Sequence, residues 1–157
     1  MTAGLVRRWN RRVGDSDTVY HLGDFAMGQK VMWPEYRRQL NGRIIFTLGN
    51  HDKPLEKFEA ALLPGDSHCQ ETTLWLGGLC LSLAHIPPKY TEYRRQDGLL
   101  VRPDSTVSAS LHDIYLCGHI HKQWKADVDR RCINVGVDQW RYQPITLDEI
   151  KEAATWL

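Results

Sequence analysis

A chain of 157 residues with 42% hydrophobic and 25% charged side chains has the make-up of one globular domain, of a size that buries roughly 68–70% of its unfolded surface. No apolar run approaches the ~18 residues that a membrane span needs. The balance of 20 basic against 19 acidic residues leaves a net charge of +1, which excludes a global field for capturing nucleic acid or an anionic membrane, so a charged substrate has to be recognised locally.

The first residues, MTAGLVRRWN, lack the apolar stretch of about 7–15 residues found in a secretory signal, and the cytoplasm is the expected compartment. Leu5, Val6, Trp9 and Val13 fall on one helical face while Arg7, Arg8, Arg11 and Arg12 crowd the others, which predicts an amphipathic helix whose arginines are a solvated face. Residues 18–22 (TVYHL) suit a strand that ends in Gly23-Asp24, being β-branched and aromatic. A helix is expected over 30–40, with Pro34 in its first turn and Asn41-Gly42 as its stop. Residues 43–48 (RIIFTL) form a near-continuous apolar run ending in Gly49-Asn50-His51-Asp52, the pattern of a strand buried on both faces. A further helix follows Pro54 to about residue 63, and 70–76 with 79–84 read as a hairpin about Gly77-Gly78. Its second strand ends at His85.

Over 87–110 the periodicity fades, which predicts a long loop bordering the site. Lys89, Tyr90, Tyr93, Arg94 and Arg95 are the types that contact a base and phosphates, although an ordinary exposed loop accounts for them more simply. Residues 113–117 (DIYLC) are strand-like and end in Gly118-His119-Ile120-His121, and 131–137 read as another strand. Thr146 and Glu149 are spaced as a capping box opening a last helix. Cys69, Cys80, Cys117 and Cys132 are too far apart for a Cys-x-x-Cys zinc or redox pair and read as small buried hydrophobes.

Chemistry enters through position. Four apolar strands end at Asp24, Asn50-His51-Asp52, His85 and His119-x-His121, and in α/β proteins the carboxyl ends of strands converge on one edge where the site is built. Singly, each cluster is an ordinary turn or strand-edge histidine. Together they offer carboxylate, carboxamide and imidazole donors suited to Mn, Fe, Zn, Co or Ni rather than calcium. His21, His68 and His112 lack such placement and are expected to be structural or exposed.

The ordered motifs GD, GNHD, a strand-ending His and GHxH resemble those of the calcineurin-like metallophosphoesterases. The resemblance covers almost the whole chain, since VYHLGDFAMG, FTLGNHDKP, LSLAHIPP, LCGHIHKQW and INVGVDQW look like the smaller bacterial and phage members. It implies an α/β fold, a four-layer α/β/β/α sandwich of two mixed sheets flanked by helices, over a single domain of residues 1–157. It also implies a metal-dependent phosphoesterase, first of all a phosphodiesterase, in which a metal-bound hydroxide attacks phosphorus. Two divalent transition-metal ions (Mn, Fe, Zn or Ni) are implied as cofactors, and a phosphate ester such as a nucleotide as the partner.

Residue by residue, Asp24 matches the carboxylate bridging the two metals, Asn50, His85 and His119 the other ligands of one, and His121 a ligand of the second. His51 matches the imidazole that protonates the leaving oxygen, with Asp52 orienting it. The family opens with an Asp-x-His motif at the end of its first strand, and none precedes Gly23 here. The expectation is therefore a chain shortened at its amino end and lacking that strand, in which Asp24 and His121 are what remains of the second metal site, with one metal as the alternative to two, and with a homodimer or strand exchange covering the exposed edge. The alternative function is a degenerate member serving as a binding module; nucleic-acid binding through the arginine helix is the weakest reading.

Overall fold

The computed structural model describes residues 2–88, 93–94, 100–101 and 113–155. It opens with α1 (Thr2–Arg12), whose apolar face sets Trp9 against the core beneath it. The buried Val13 then leads into β1 (Thr18–His21). β2 (Arg43–Thr47) and β3 (Ser67–Cys69) join β1 in a wholly parallel three-stranded sheet of order β1-β2-β3, with Val19 opposite Ile44 and Phe46 opposite His68.

Parallel neighbours need crossover connections. A 3-10 turn at Lys30–Met32 running into α2 (Trp33–Arg38) supplies the first, and α3 (Leu55–Glu59) the second. The helix expected over 30–40 is divided in this way because Pro34 has no amide to bond the carbonyl four residues back. α3 also ends earlier than expected: Ala61 and Leu62 donate to carbonyls only three residues back, and residue 63 is turned from helix by the proline after it. Trp33, Ile44, Phe46, Phe58 and Ala61 form the buried core between these helices and the sheet.

β3 was not legible as a strand, and a buried ion pair helps to fix it. The Arg37 guanidinium bonds Asp66 at 2.7 and 2.9 Å and the carbonyls of Leu40 and Gly42 at 2.7 Å, while Asp66 accepts the amides of Ile44 and Leu63 at 2.9 Å. One carboxylate thereby joins the end of α2, the start of β2 and the approach to β3.

β4 (Glu71–Leu76) and β5 (Leu79–Ala84) form the expected hairpin, with Gly77 and Gly78 at φ 58° and 83° in its turn, a left-handed pair that suits the twist of a two-residue hairpin loop. The stretch expected to be loop contains an antiparallel ribbon of β6 (Tyr93–Arg94) and β7 (Leu100–Val101), strands too short for periodicity to reveal. Lys89, Tyr90, Arg95 and His112 lie outside the described residues, as do the side chains of Tyr93 and Arg94. β8 (Ile114–Cys117), β9 (Ala126–Asp127) and β10 (Cys132–Asn134) complete a mixed sheet of order β4-β5-β8-β10-β9, in which β5, β8 and β10 are parallel.

α4 (Leu147–Ala153) starts at the Thr146 capping box, in which Thr146 and Glu149 cap one another's amides. It sets Ile150, with Ala154 just beyond it, against Leu81, Leu83, Ile114, Leu116 and Ile133. The expected α/β architecture of two sheets with helices packed on them is present. Leu22, directly after β1, belongs to the core of the second sheet, so the loop that follows β1 is pinned between the two sheets. Among the described residues no helix is long and apolar enough to cross a membrane.

Candidate metal centre

His85 stands at the end of β5, 4% exposed, and its Nδ1 lies 2.8 Å from the Leu22 carbonyl. A carbonyl can only accept, so the neutral ring carries its proton on Nδ1 and keeps a lone pair on Nε2. That lone pair faces Asn50 Oδ1 at 3.0 Å, His119 Nδ1 at 3.1 Å and Asp24 Oδ2 at 3.4 Å. His119 Nδ1 is also 3.1 Å from Asn50 Oδ1. Four acceptor-type atoms thus meet with too few hydrogens to join them, and a cation is the group that completes such a set. Donor atoms of Asp24, His85 and His119 all lie within 4.8 Å of one another. The mixture of carboxylate and carboxamide oxygen with two imidazole nitrogens fits a divalent transition metal.

The backbone is bent to bring these groups together. Asp24, His119 and His121 have φ of 54°, 66° and 49°, a left-handed conformation costing about 1–3 kcal/mol each in a residue other than glycine. Gly23 and Gly49 let the loops after β1 and β2 touch: a Cβ on Gly23 would stand 2.7 Å from the Gly49 Cα, and one on Gly49 would run into the Asp24 amide and carboxylate.

Asp52, 2% exposed, accepts the amides of Asp24, Phe25 and Gly49, each at 2.8 Å. Among the described residues these amides are its hydrogen-bond partners, so the carboxylate expected to orient His51 is seen joining the loops after β1 and β2 through their backbone. His51 is exposed. Its amide donates to Asp24 Oδ1 at 2.9 Å and its carbonyl accepts from Lys30 Nζ at 3.3 Å.

His121 stands apart from this group. Its ring is 80% exposed, with Nδ1 3.3 Å from Asp138 Oδ2, and its carbonyl accepts from Asn134 Nδ2 at 2.6 Å and Gln139 Nε2 at 3.1 Å. Asn134, Asp138 and Gln139 were not singled out from the sequence. Reading a strand over 131–137 placed Asn134 in its middle, whereas β10 stops at Asn134; Asp138 and Gln139 follow the stretch read as strand, but a lone carboxylate there reads as an ordinary turn. His21 packs on Phe25 and Phe46 at 5.7 and 5.4 Å between ring centroids, and burial holds its imidazole below the ordinary histidine range against the pull of Asp52. His68 pairs with Glu59 at 3.1 Å.

Residues 2–146 match the calcineurin-like phosphoesterase superfamily domain. The chain belongs to this superfamily. It is 29% identical over 157 residues to protein MJ1445 of Methanocaldococcus jannaschii, covering 96% of this chain and 73% of that protein. It is 27% identical over 183 residues to the Gene 66 protein of Mycobacterium phage L5, covering 94% and 78%. Among solved structures, the Aquifex aeolicus protein AQ665 superposes with a TM-score of 0.71 at 26% identity, over 96% of this chain and 83% of that one. An archaeal phosphodiesterase superposes with a TM-score of 0.54 at 23% identity over 85% and 76%, a likeness of fold. A calcineurin-like phosphoesterase is metal-dependent, which agrees with the donor set formed by Asp24, His85 and His119.

Proposed function

We propose that this chain hydrolyses a phosphate ester, with phosphodiesters as the preferred class, and that Asp24, Asn50, His85 and His119 hold a divalent transition-metal ion for the purpose. The observation that carries the reading is the convergence of Asn50 Oδ1, His119 Nδ1 and Asp24 Oδ2 on a His85 Nε2 whose lone pair is fixed by the Leu22 carbonyl. Such an ion, when bound, supplies Lewis-acid neutralisation of phosphate charge and makes water more acidic.

The chain's own groups do the rest. The Asp24 carboxylate offsets cationic charge while its other oxygen anchors the His51 amide. The His51 imidazole, exposed at the mouth of the site, donates a proton to the leaving alkoxide, a role worth on the order of 10²–10⁴ in rate. Asp52 keeps the Asp24 and Gly49 loops in register. His121 serves a second cation.

The test combines elemental analysis of the purified chain with hydrolysis of bis-para-nitrophenyl phosphate in added manganese. The wild type is expected to retain stoichiometric metal and turn over, His85→Ala to lose both, and His51→Ala to keep its metal while losing roughly 10²–10⁴ of the rate. Metal-free protein without turnover would assign the fold to a binding role instead.

A further inference from the structure

We propose that Asp138 is a positioning residue for His121: it fixes the imidazole tautomer and leaves Nε2 as the free ligand atom. The proposal rests on the reading of His121 as a cation ligand. At 80% exposure the His121 ring has little packing to hold it, and its one described polar contact is Nδ1 to Asp138 Oδ2 at 3.3 Å. A carboxylate at neutral pH only accepts, so it selects the ring form protonated on Nδ1. The Leu22 carbonyl does the same for His85 within the first site. Carboxylate support of this kind orients a ligating histidine and raises its basicity.

Asp138 can act in this way because its own segment is immobilised. It lies in a 3-10 turn, Val137–Gln139, closed by Gln139 N to the Gly136 carbonyl at 2.9 Å and Trp140 N to the Val137 carbonyl at 3.1 Å. Asn134, fully buried, uses its whole carboxamide here: Nδ2 donates to the His121 and Trp124 carbonyls and Oδ1 accepts the Gly136 amide at 2.9 Å. The Trp140 indole donates to the Asn134 carbonyl at 2.7 Å. Gln139, beside Asp138, reaches the His121 carbonyl. One turn therefore grips both the backbone and the ring of His121, whose left-handed φ of 49° would otherwise relax.

The experiment uses the full chain. In metal-free, ¹⁵N-histidine-labelled protein in mildly alkaline buffer, long-range ¹H–¹⁵N correlation reads the His121 tautomer. The wild type is expected to show Nδ1–H with a bare Nε2, and Asp138→Ala the ordinary mixture of both forms. Asp138→Asn, whose carboxamide oxygen accepts the same bond, is expected to keep the wild-type form. Titration with Mn²⁺ alone is expected to show affinity at the second site about 10–100-fold weaker in Asp138→Ala. A wild-type ring that samples both tautomers, or one unchanged in Asp138→Ala, overturns the positioning role. His121→Ala binding Mn²⁺ with wild-type stoichiometry and affinity overturns the ligand reading beneath it, and that failure is distinguishable because the tautomer measurement needs no metal.

Discussion

Asp52 shows how a buried carboxylate can hold the loops of the candidate site through backbone amides alone. Its two carboxylate oxygens satisfy three amides on the loops after β1 and β2. Asp52→Asn keeps the shape but replaces one acceptor with an NH₂ that must face an amide donor. Stranding a buried donor costs about 1–3 kcal/mol, so the variant is expected to lose stability of that order in urea denaturation. It is also expected to bind metal more weakly, because Asp24 and Asn50 sit on the loosened loops. Full stability together with wild-type metal affinity would show that the three bonds are dispensable. At this scale Asp24, Asn50, His85 and His119 were legible because each is a polar letter ending an apolar strand. The partners of Asp52 were not, since backbone amides of distant loops leave no mark in a sequence. Asp138 directly follows the stretch 131–137 read as strand, but a single carboxylate at a strand end reads as an ordinary turn residue.

Among the elements, the α2–β2–β3 crossover depends on one ion pair whose members are 3% and 1% exposed. Asp66→Ala would leave the Arg37 guanidinium buried without its partner, a loss expected to cost about 3–5 kcal/mol and to be read as a lower urea midpoint. The effect has a pH signature. Burial alone would raise the Asp66 carboxyl, but the Arg37 hydrogen bonds, the amides of Ile44 and Leu63 and the guanidinium charge outweigh it and hold the group below the ordinary carboxylate range. A folded value below the unfolded one, about 3.9, gives stability that is fully present above that value and is lost as pH falls through the folded one. The gap between wild type and Asp66→Ala should therefore be constant from neutral pH down to about 5 and narrow below about 4; a gap that widened in acid would contradict the sign. The hairpin at Gly77-Gly78 and the capping box at Thr146 were legible because their turn and cap chemistry is local. β3 was not: three residues, Ser-His-Cys, carry no period, and their strand character comes from parallel pairing with β2 and from the Asp66 clamp.

Across the whole molecule, the centre lies where two separately cored sheets meet. Asp24 and Asn50 come from loops after strands of the three-stranded sheet, His85 and His119 from the ends of β5 and β8 in the five-stranded one. Elsewhere α1 joins the carboxyl-terminal part of the chain through Arg12 to Glu149 and Arg8 to the Arg141 carbonyl. The strand order β4-β5-β8-β10-β9 could not be read from chain order, because pairing depends on which faces are buried together. The strand-end rule needs only that carboxyl ends converge, which is why the candidate donor cluster was more legible than the sheets that build it. A cation held as proposed by ligands from both sheets would favour the folded chain over the unfolded one, so loading is expected to stabilise the whole fold. At a free concentration 100-fold above Kd the gain is about 2.7 kcal/mol. For a chain of this length each kcal/mol moves Tm by about 2–4 °C, giving a rise of roughly 5–11 °C. Calorimetry of metal-stripped protein with and without Mn²⁺ should show that rise, and both Asn50→Ala and His119→Ala should abolish it, because either change removes a donor from one side of the seam. If the rise survived in both variants, the stabilising ion would be held somewhere other than between the sheets.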